Sequence, residues 1–200
     1  MPGFGRADSA NPYADLRRPW PFDPARAARL LELAGYPRGD QFPPLVLATS
    51  PRFQPISEFL QQSWGQLGIR VVIDNLEGAA QRERIYNQQV GLWRASWLAD
   101  YPDAENFLAL FVEANWAPAG PNTTHYKNSA FDKLYAQALR TPQDSLRYPI
   151  YQQLEELLVR DLPVIPLYHY RAMRLLQPDI RGLPLSPMTL LLDLKYAWKE

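Results

Sequence analysis

The chain has 200 residues, with 21 Lys plus Arg against 21 Asp plus Glu, so its formal net charge is zero. That balance argues against the cationic surface that phosphate binding needs, so no nucleic-acid partner and no polybasic membrane contact is expected. Cysteine is absent, which removes disulfides, thiolate nucleophiles, zinc fingers and iron–sulfur clusters.

The first 22 residues are rich in Pro, Gly and Asn and predict an irregular lead-in. They hold no apolar stretch of the signal-peptide kind, so no signal peptide is expected in this chain. No apolar run approaches the ~20 residues of a membrane span. Asp23 is a good N-cap and Pro24 suits the first helical position, so a helix is predicted to start there. Its stripe is Ala27, Leu30, Leu31 and Ala34, and Gly35 ends it. Pro43-Pro44 break the chain, and Leu45–Thr49 reads as a short strand. Residues 52–67 predict a second helix with Ile56, Phe59, Leu60, Trp64 and Leu67 on its apolar face, closed by Gly68. Ile69–Asn75 is a β-branched strand, 78–88 a polar helix, and Gly91–Leu98 a third strand. Strands alternating with helices over short connections predict an α/β sheet with helix crossovers.

The second half changes character. Glu105–Val112 reads as a short helix, Asn115–Asn128 as a loop, and Ser129 as the cap of a helix to about Leu139. A longer helix follows over 145–160, with Leu146, Ile150, Leu154, Leu157 and Leu158 as its stripe. Val164–Tyr170 and Ala172–Leu176 read as strands, and Leu190–Leu194 as a final aliphatic segment.

Enzyme motifs are scarce. The two histidines, His125 and His169, stand far apart, and no zincin, nucleophile-elbow or P-loop pattern occurs. No catalytic residue, metal ligand or cofactor is therefore assigned. The densest chemistry lies in Trp93 to Asp103, a strand running into a turn. Alternation would set Trp93, Ala95 and Trp97 on one side and Arg94, Ser96 and Leu98 on the other. Ligands of open α/β sheets bind at the carboxyl ends of strands. One reading is a site for a zwitterion: Asp100 pairs with an ammonium, Arg94 with a carboxylate, and Trp97 and Tyr101 pack around the rest. The competing reading has Asp100 capping the next helix, Arg94 paired with a surface acid, and the tryptophans filling the core. For His125 the simpler reading is a loop histidine making one hydrogen bond.

The run Trp97-Leu98-Ala99-Asp100-Tyr101-Pro102-Asp103-Ala104-Glu105-Asn106-Phe107 resembles the W-x-A-D-Y block of oligopeptide- and dipeptide-binding proteins. These are the family 5 extracytoplasmic solute-binding receptors of ABC importers. Other segments agree in order: Phe22-Asp23-Pro24 through Gly35-Tyr36-Pro37, Gln66 to Val71, Asn122 to Leu134 with His125 inside it, and Asp161 to Tyr168. Each block is weak by itself, and their shared order and spacing carry the resemblance.

The resemblance implies a type II periplasmic-binding-protein-like lobe, a sheet flanked by helices, incomplete beside the full two-lobe receptor. It divides the chain into a lead-in over 1–22, the second, C-terminal lobe over 23–177, and a segment over 178–200 returning toward a missing N-terminal lobe. Met1 would then be an internal methionine. The implied function is peptide binding in a cleft, without chemistry, and delivery to ABC permease subunits from the periplasm. Asp100 matches the family's aspartate for a peptide's α-ammonium, Arg94 a cleft arginine that meets a carboxylate, and Trp97 and Tyr101 aromatics of the first side-chain pocket. His125 joins them as a ligand-binding candidate. Ala104 stands where the family often has Pro, which leaves the pocket's shape open. A lobe alone would bind weakly and tend to self-associate through its exposed aromatic wall. Two alternatives stand beside this: an interaction module without a small ligand, and a hydrolase with a site assembled around His125 or His169.

Overall fold

The computed structural model describes residues 22–168, 175–183 and 194–200. The lead-in before Phe22, His169, and most of the expected segments Ala172–Leu176 and Leu190–Leu194 lie outside the described residues.

The N-terminal half is a small parallel sheet with helical crossovers. Helix α1 (Pro24–Leu33) starts as its sequence predicts, with the Asp23 side chain accepting from the Arg26 N–H at 2.8 Å. Strand β1 (Leu45–Thr49) leads through a turn at Pro51–Phe53 into α2 (Gln54–Gly65) and then β2 (Val71–Asn75). Helix α3 (Gly78–Tyr86) carries the chain to β3 (Leu92–Trp93). Parallel strands cannot be joined by a hairpin, so each crossover needs its helix. β1 is central: it pairs with β2 from Leu45↔Val71 to Thr49↔Asn75, and with β3 at Leu47↔Leu92 and Ala48↔Trp93. Leu47, Ala48 and Thr49 are almost wholly buried. Ser57 of α2, also buried, sets its hydroxyl 3.1 Å from that of Thr49 and 3.0 Å from the Phe53 carbonyl, so the polar atoms of this contact are satisfied.

The end of α2 explains why β2 starts late. Gly68 lies at φ +80°, the Ile69 N–H donates to the Trp64 carbonyl, and the Gly68 N–H donates to that of Gly65. This is a Schellman ending, and it takes Ile69 out of the expected strand. A Cβ on Gly68 would lie 1.9 Å from the Arg38 carbonyl oxygen, so the residues after α1 dock backbone to backbone on this turn.

The third strand is much shorter than expected. The Arg94 N–H donates to the Ala48 carbonyl as a last rung, and from Ala95 the chain leaves the sheet. β3 has β1 as its partner, and β1 ends at Thr49, so residues 95–98 meet no ladder. The predicted alternation of side chains therefore does not extend to Trp97. Likewise, residues 164–168 form no strand: none of the described strands pairs with them, and Ile165 is 59% exposed.

The second half is helical. Helix α4 (Glu105–Leu108) runs into a 3-10 turn at Ala109–Phe111, and α5 (Ser129–Leu139) packs on α6 (Asp144–Asp161). Leu108, Phe131 and Leu154 are fully buried, with Phe111, Tyr135, Ile150, Tyr151 and Leu158 around them. The Asn128 side chain caps α5, accepting from the Ala130 and Phe131 N–H groups. Two-residue strands β4 (Ile180–Arg181) and β5 (Trp198–Lys199) pair antiparallel.

Candidate functional site

The strand order β2-β1-β3 puts the turn of direction between β1 and β3. The crevice at the carboxyl ends of two such strands is where open α/β sheets take ligands. Arg94 stands there, directly after β3. Its guanidinium carbon lies 3.3 Å from the ring centroid of Phe53, which follows β1. Its Nη2 reaches the Tyr168 hydroxyl at 3.4 Å. Arg94 thus rests on an aromatic face rather than on the surface acid that the competing reading supposed.

The bridge from sheet to helices, residues 94–104, carries the remaining residues. Trp97 is 43% exposed, so it fills no core. Its indole N–H donates to Asn106 Oδ1 at 2.7 Å, and the Asp100 backbone N–H reaches the same oxygen at 3.3 Å. The Asp100 side chain is exposed, and its carboxylate has no partner among the described residues. It does not cap α4. Asp103 does that, with Oδ1 accepting the Glu105 N–H at 2.9 Å.

A carboxylate–phenol network fixes this bridge on the helices. Tyr151 of α6 donates to Asp103 Oδ1 at 2.8 Å, and Arg147 pairs with Asp103 Oδ2 at 2.8 Å and with Asp144 at 2.7 Å. The hydroxyls of Tyr101 and of Tyr135 on α5 both donate to Glu105. Burial, then these hydrogen bonds, push the phenols of Tyr135 and Tyr151 up. The bond to Glu105 is the main cause that raises Tyr101.

His125 stands elsewhere. Its ring stacks on Trp116 with centroids 5.0 Å apart, and its φ is +51°. Its Nε2 is buried without a partner among the described residues, so the single hydrogen bond expected of it is not seen at that atom. No described hydrogen bond or ring contact links His125 or Arg94 to Trp97, Asp100 or Tyr101. The structure therefore joins Trp97 and Asp100 through Asn106, hangs Tyr101 on Glu105, and leaves the other two on their own aromatic partners. A pocket of about 260 Å³ between α3, β3 and Thr123-Thr124, and a groove of about 410 Å³ between α5 and α6, are lined by other residues. Among the described residues no His, Asp and Glu group is arranged to hold a metal, and no helix is long and apolar enough to cross a membrane.

Asn106, Phe53 and the Asp103–Arg147–Tyr151 group were not singled out from sequence. Asn106 lay inside the block that carries the resemblance. Nothing local marks Phe53, because its partner Arg94 arrives from another strand.

The described residues thus form a small parallel sheet with helical crossovers, followed by a helical part. A profile of the bacterial extracellular solute-binding proteins, family 5 (Middle), matches residues 2–118, and the chain belongs to that family. It is 28% identical over 198 residues to the glutathione-binding protein GsiB of Escherichia coli K12, covering 94% of this chain and 38% of GsiB. The chain thus spans under two fifths of the length of the curated relatives it matches. Among solved structures, it superposes on the dipeptide-binding protein of Pseudoalteromonas sp. SM9913 in complex with Met-Leu with a TM-score of 0.73, at 27% identity, covering 90% of this chain and 36% of that one. The murein tripeptide-binding protein MppA of Escherichia coli gives 0.70 at 30% identity, covering 80% and 31%.

Proposed function

We propose that this chain is the C-terminal lobe of the solute receptor of an ABC importer and that it binds a peptide or peptide-like zwitterion without chemistry. Residues 23–177 form the lobe in this reading, and 178–200 return toward the rest of the receptor. The observation that carries it is the Asp100 carboxylate: exposed, without a partner among the described residues, and on the same short segment as the exposed rings of Trp97 and Tyr101. A carboxylate so placed takes a ligand ammonium, the aromatic faces cover the adjoining backbone, and Arg94 on Phe53 offers a cation for the far carboxylate. Family membership supports the reading, as do relatives named for glutathione, a dipeptide and a tripeptide, all molecules with a free ammonium. The family's description as extracellular supports a receptor outside the cytoplasm, and the same reading takes permease subunits as its partners and His125 as an outlying contact.

Asp100 is in water on this lobe, where an ion pair contributes only ~0–1 kcal/mol. Closure against a second lobe would exclude that water and strengthen the pair. Titration calorimetry with free and N-acetylated tri- to pentapeptides tests the reading. Weak binding that favours the free amine and is lost in Asp100→Asn is expected. Sub-micromolar affinity that survives Asp100→Ala would sink the site.

The interaction-module alternative draws support from one observation. Val46 and Val72, register partners on one sheet face, are 44% and 40% exposed. Self-association through such apolar surface is expected to show as concentration-dependent sedimentation. The hydrolase alternative gains no geometry from His125, whose described contact is the Trp116 ring.

A further inference from the structure

We infer that Asn106 is the positioning residue of the ammonium site, fixing Trp97 and Asp100 as one rigid unit; this rests on the peptide-binding reading above. Asn106 is only 6% exposed, and its Oδ1 accepts from the Trp97 indole at 2.7 Å and the Asp100 backbone N–H at 3.3 Å. An amide oxygen has two lone pairs, and here both serve residues at the two ends of the segment 97–100. That segment lies beyond the last rung of β3, so no sheet ladder holds it.

Asn106 is itself well anchored. It sits in α4, which Asp103 caps at 2.9 Å and ties to Tyr151 and Arg147 of α6 at 2.8 Å each. Glu105 ties the same turn to Tyr135 of α5. The Trp97 indole N–H and the Asp100 backbone therefore keep a set separation before any ligand arrives, and the Asp100 carboxylate starts from that fixed backbone. A preorganised site spares the ligand the ordering of its receptor, and one buried oxygen performs that ordering here. The consequence is specificity: the site reads an ammonium at a fixed offset from an apolar face, rather than any cation.

The test uses the whole chain in three forms: wild type, Asn106→Leu, which keeps the shape and removes the acceptor, and Asn106→Asp, which keeps the acceptor oxygens. Proton–nitrogen NMR follows the Trp97 indole resonance, assigned by Trp97→Phe, and the Asp100 amide, with trialanine and N-acetyltrialanine as probes at millimolar concentration. In Asn106→Leu the indole and Asp100 amide resonances are expected to move upfield together, their hydrogen exchange to quicken, and trialanine to bind up to about fivefold more weakly. N-acetyltrialanine is expected to lose nothing, and Asn106→Asp to restore both resonances. If Asn106→Leu folds and leaves the indole resonance where it was, or weakens both peptides equally, Asn106 does not position the site. If Asn106→Leu fails to fold, Asn106→Asp decides through the same two resonances and the same peptide pair. Equal binding of the two peptides to the wild type overturns the ammonium reading instead, and it shows before any variant is compared.

Discussion

At the scale of single residues, the site is made by what its members do not bond to as much as by what they do. Asp100 and Asp103 stand three positions apart, and either could cap α4 by type. Asp103 accepts the Glu105 N–H and holds Tyr151 and Arg147 as well, while the Asp100 carboxylate has no partner among the described residues. Asp103→Ala is therefore expected to cost about 1–3 kcal/mol, since it leaves the Tyr151 hydroxyl and Arg147 without their shared acceptor. Urea denaturation measures this. Asp100→Ala is expected to leave the urea midpoint within about 0.5 kcal/mol of the wild type, because its carboxylate has no partner among the described residues. Arg94 gives a smaller effect of a different kind. Phe53→Leu removes the aromatic face beneath its guanidinium and is expected to lower stability by about 1 kcal/mol through the lost cation–π contact and ring burial.

At the scale of elements, two glycines of one helix end separate conformation from composition. Gly68 lies at φ +80° with the Arg38 carbonyl where a Cβ would go, whereas Gly65 has open space around its Cβ position and no positive φ. Gly68→Ala is expected to destabilise by well over ~1 kcal/mol, and Gly65→Ala to stabilise by about 0.4–1 kcal/mol by restricting the unfolded chain. Thermal midpoints moving in opposite directions confirm it; a shared direction counts against the docking of the α1 end on the α2 end. The same elements show how far local pattern reaches. Asp23-Pro24, Gly35 and Gly68 mark helix ends through their own backbone chemistry and were legible, whereas the cap expected of Ser129 is made by Asn128, one residue earlier. The length of β3 was not, because a strand lasts only while its neighbour does.

At the scale of the whole molecule, ionisation links distant segments. Hydrogen bonds from Arg160, Tyr126 and Asn128 hold the Asp161 carboxyl down to about 2, from 3.8. A folded value below the unfolded one adds stability that is present above about pH 4 and lost as the pH falls toward about 2. Asp161→Asn is expected to flatten that acid limb in urea titrations. On the alkaline side, burial and the bond to Asp161 push Tyr126 up to about 12, from 10.0. Its contribution is complete below about pH 10 and is lost as the pH rises through about 12. Absorbance of the phenolates is expected to show Tyr126, Tyr135 and Tyr151 ionising only as the fold is lost.

The sequence by itself determined the α/β class, most of the helix ends, and the segment Trp97 to Asn106 where a family likeness concentrates. Those features are written in local spacing, in backbone-specific residues, or in a motif whose members sit side by side. Only the tertiary structure decided that β3 stops at Trp93, that Asp103 rather than Asp100 caps α4, that Arg94 rests on Phe53, and that Asn106 ties Trp97 to Asp100. Each of these turns on a partner brought from another element, or on a choice among equivalent side chains, and a chain read residue by residue holds no distance between them.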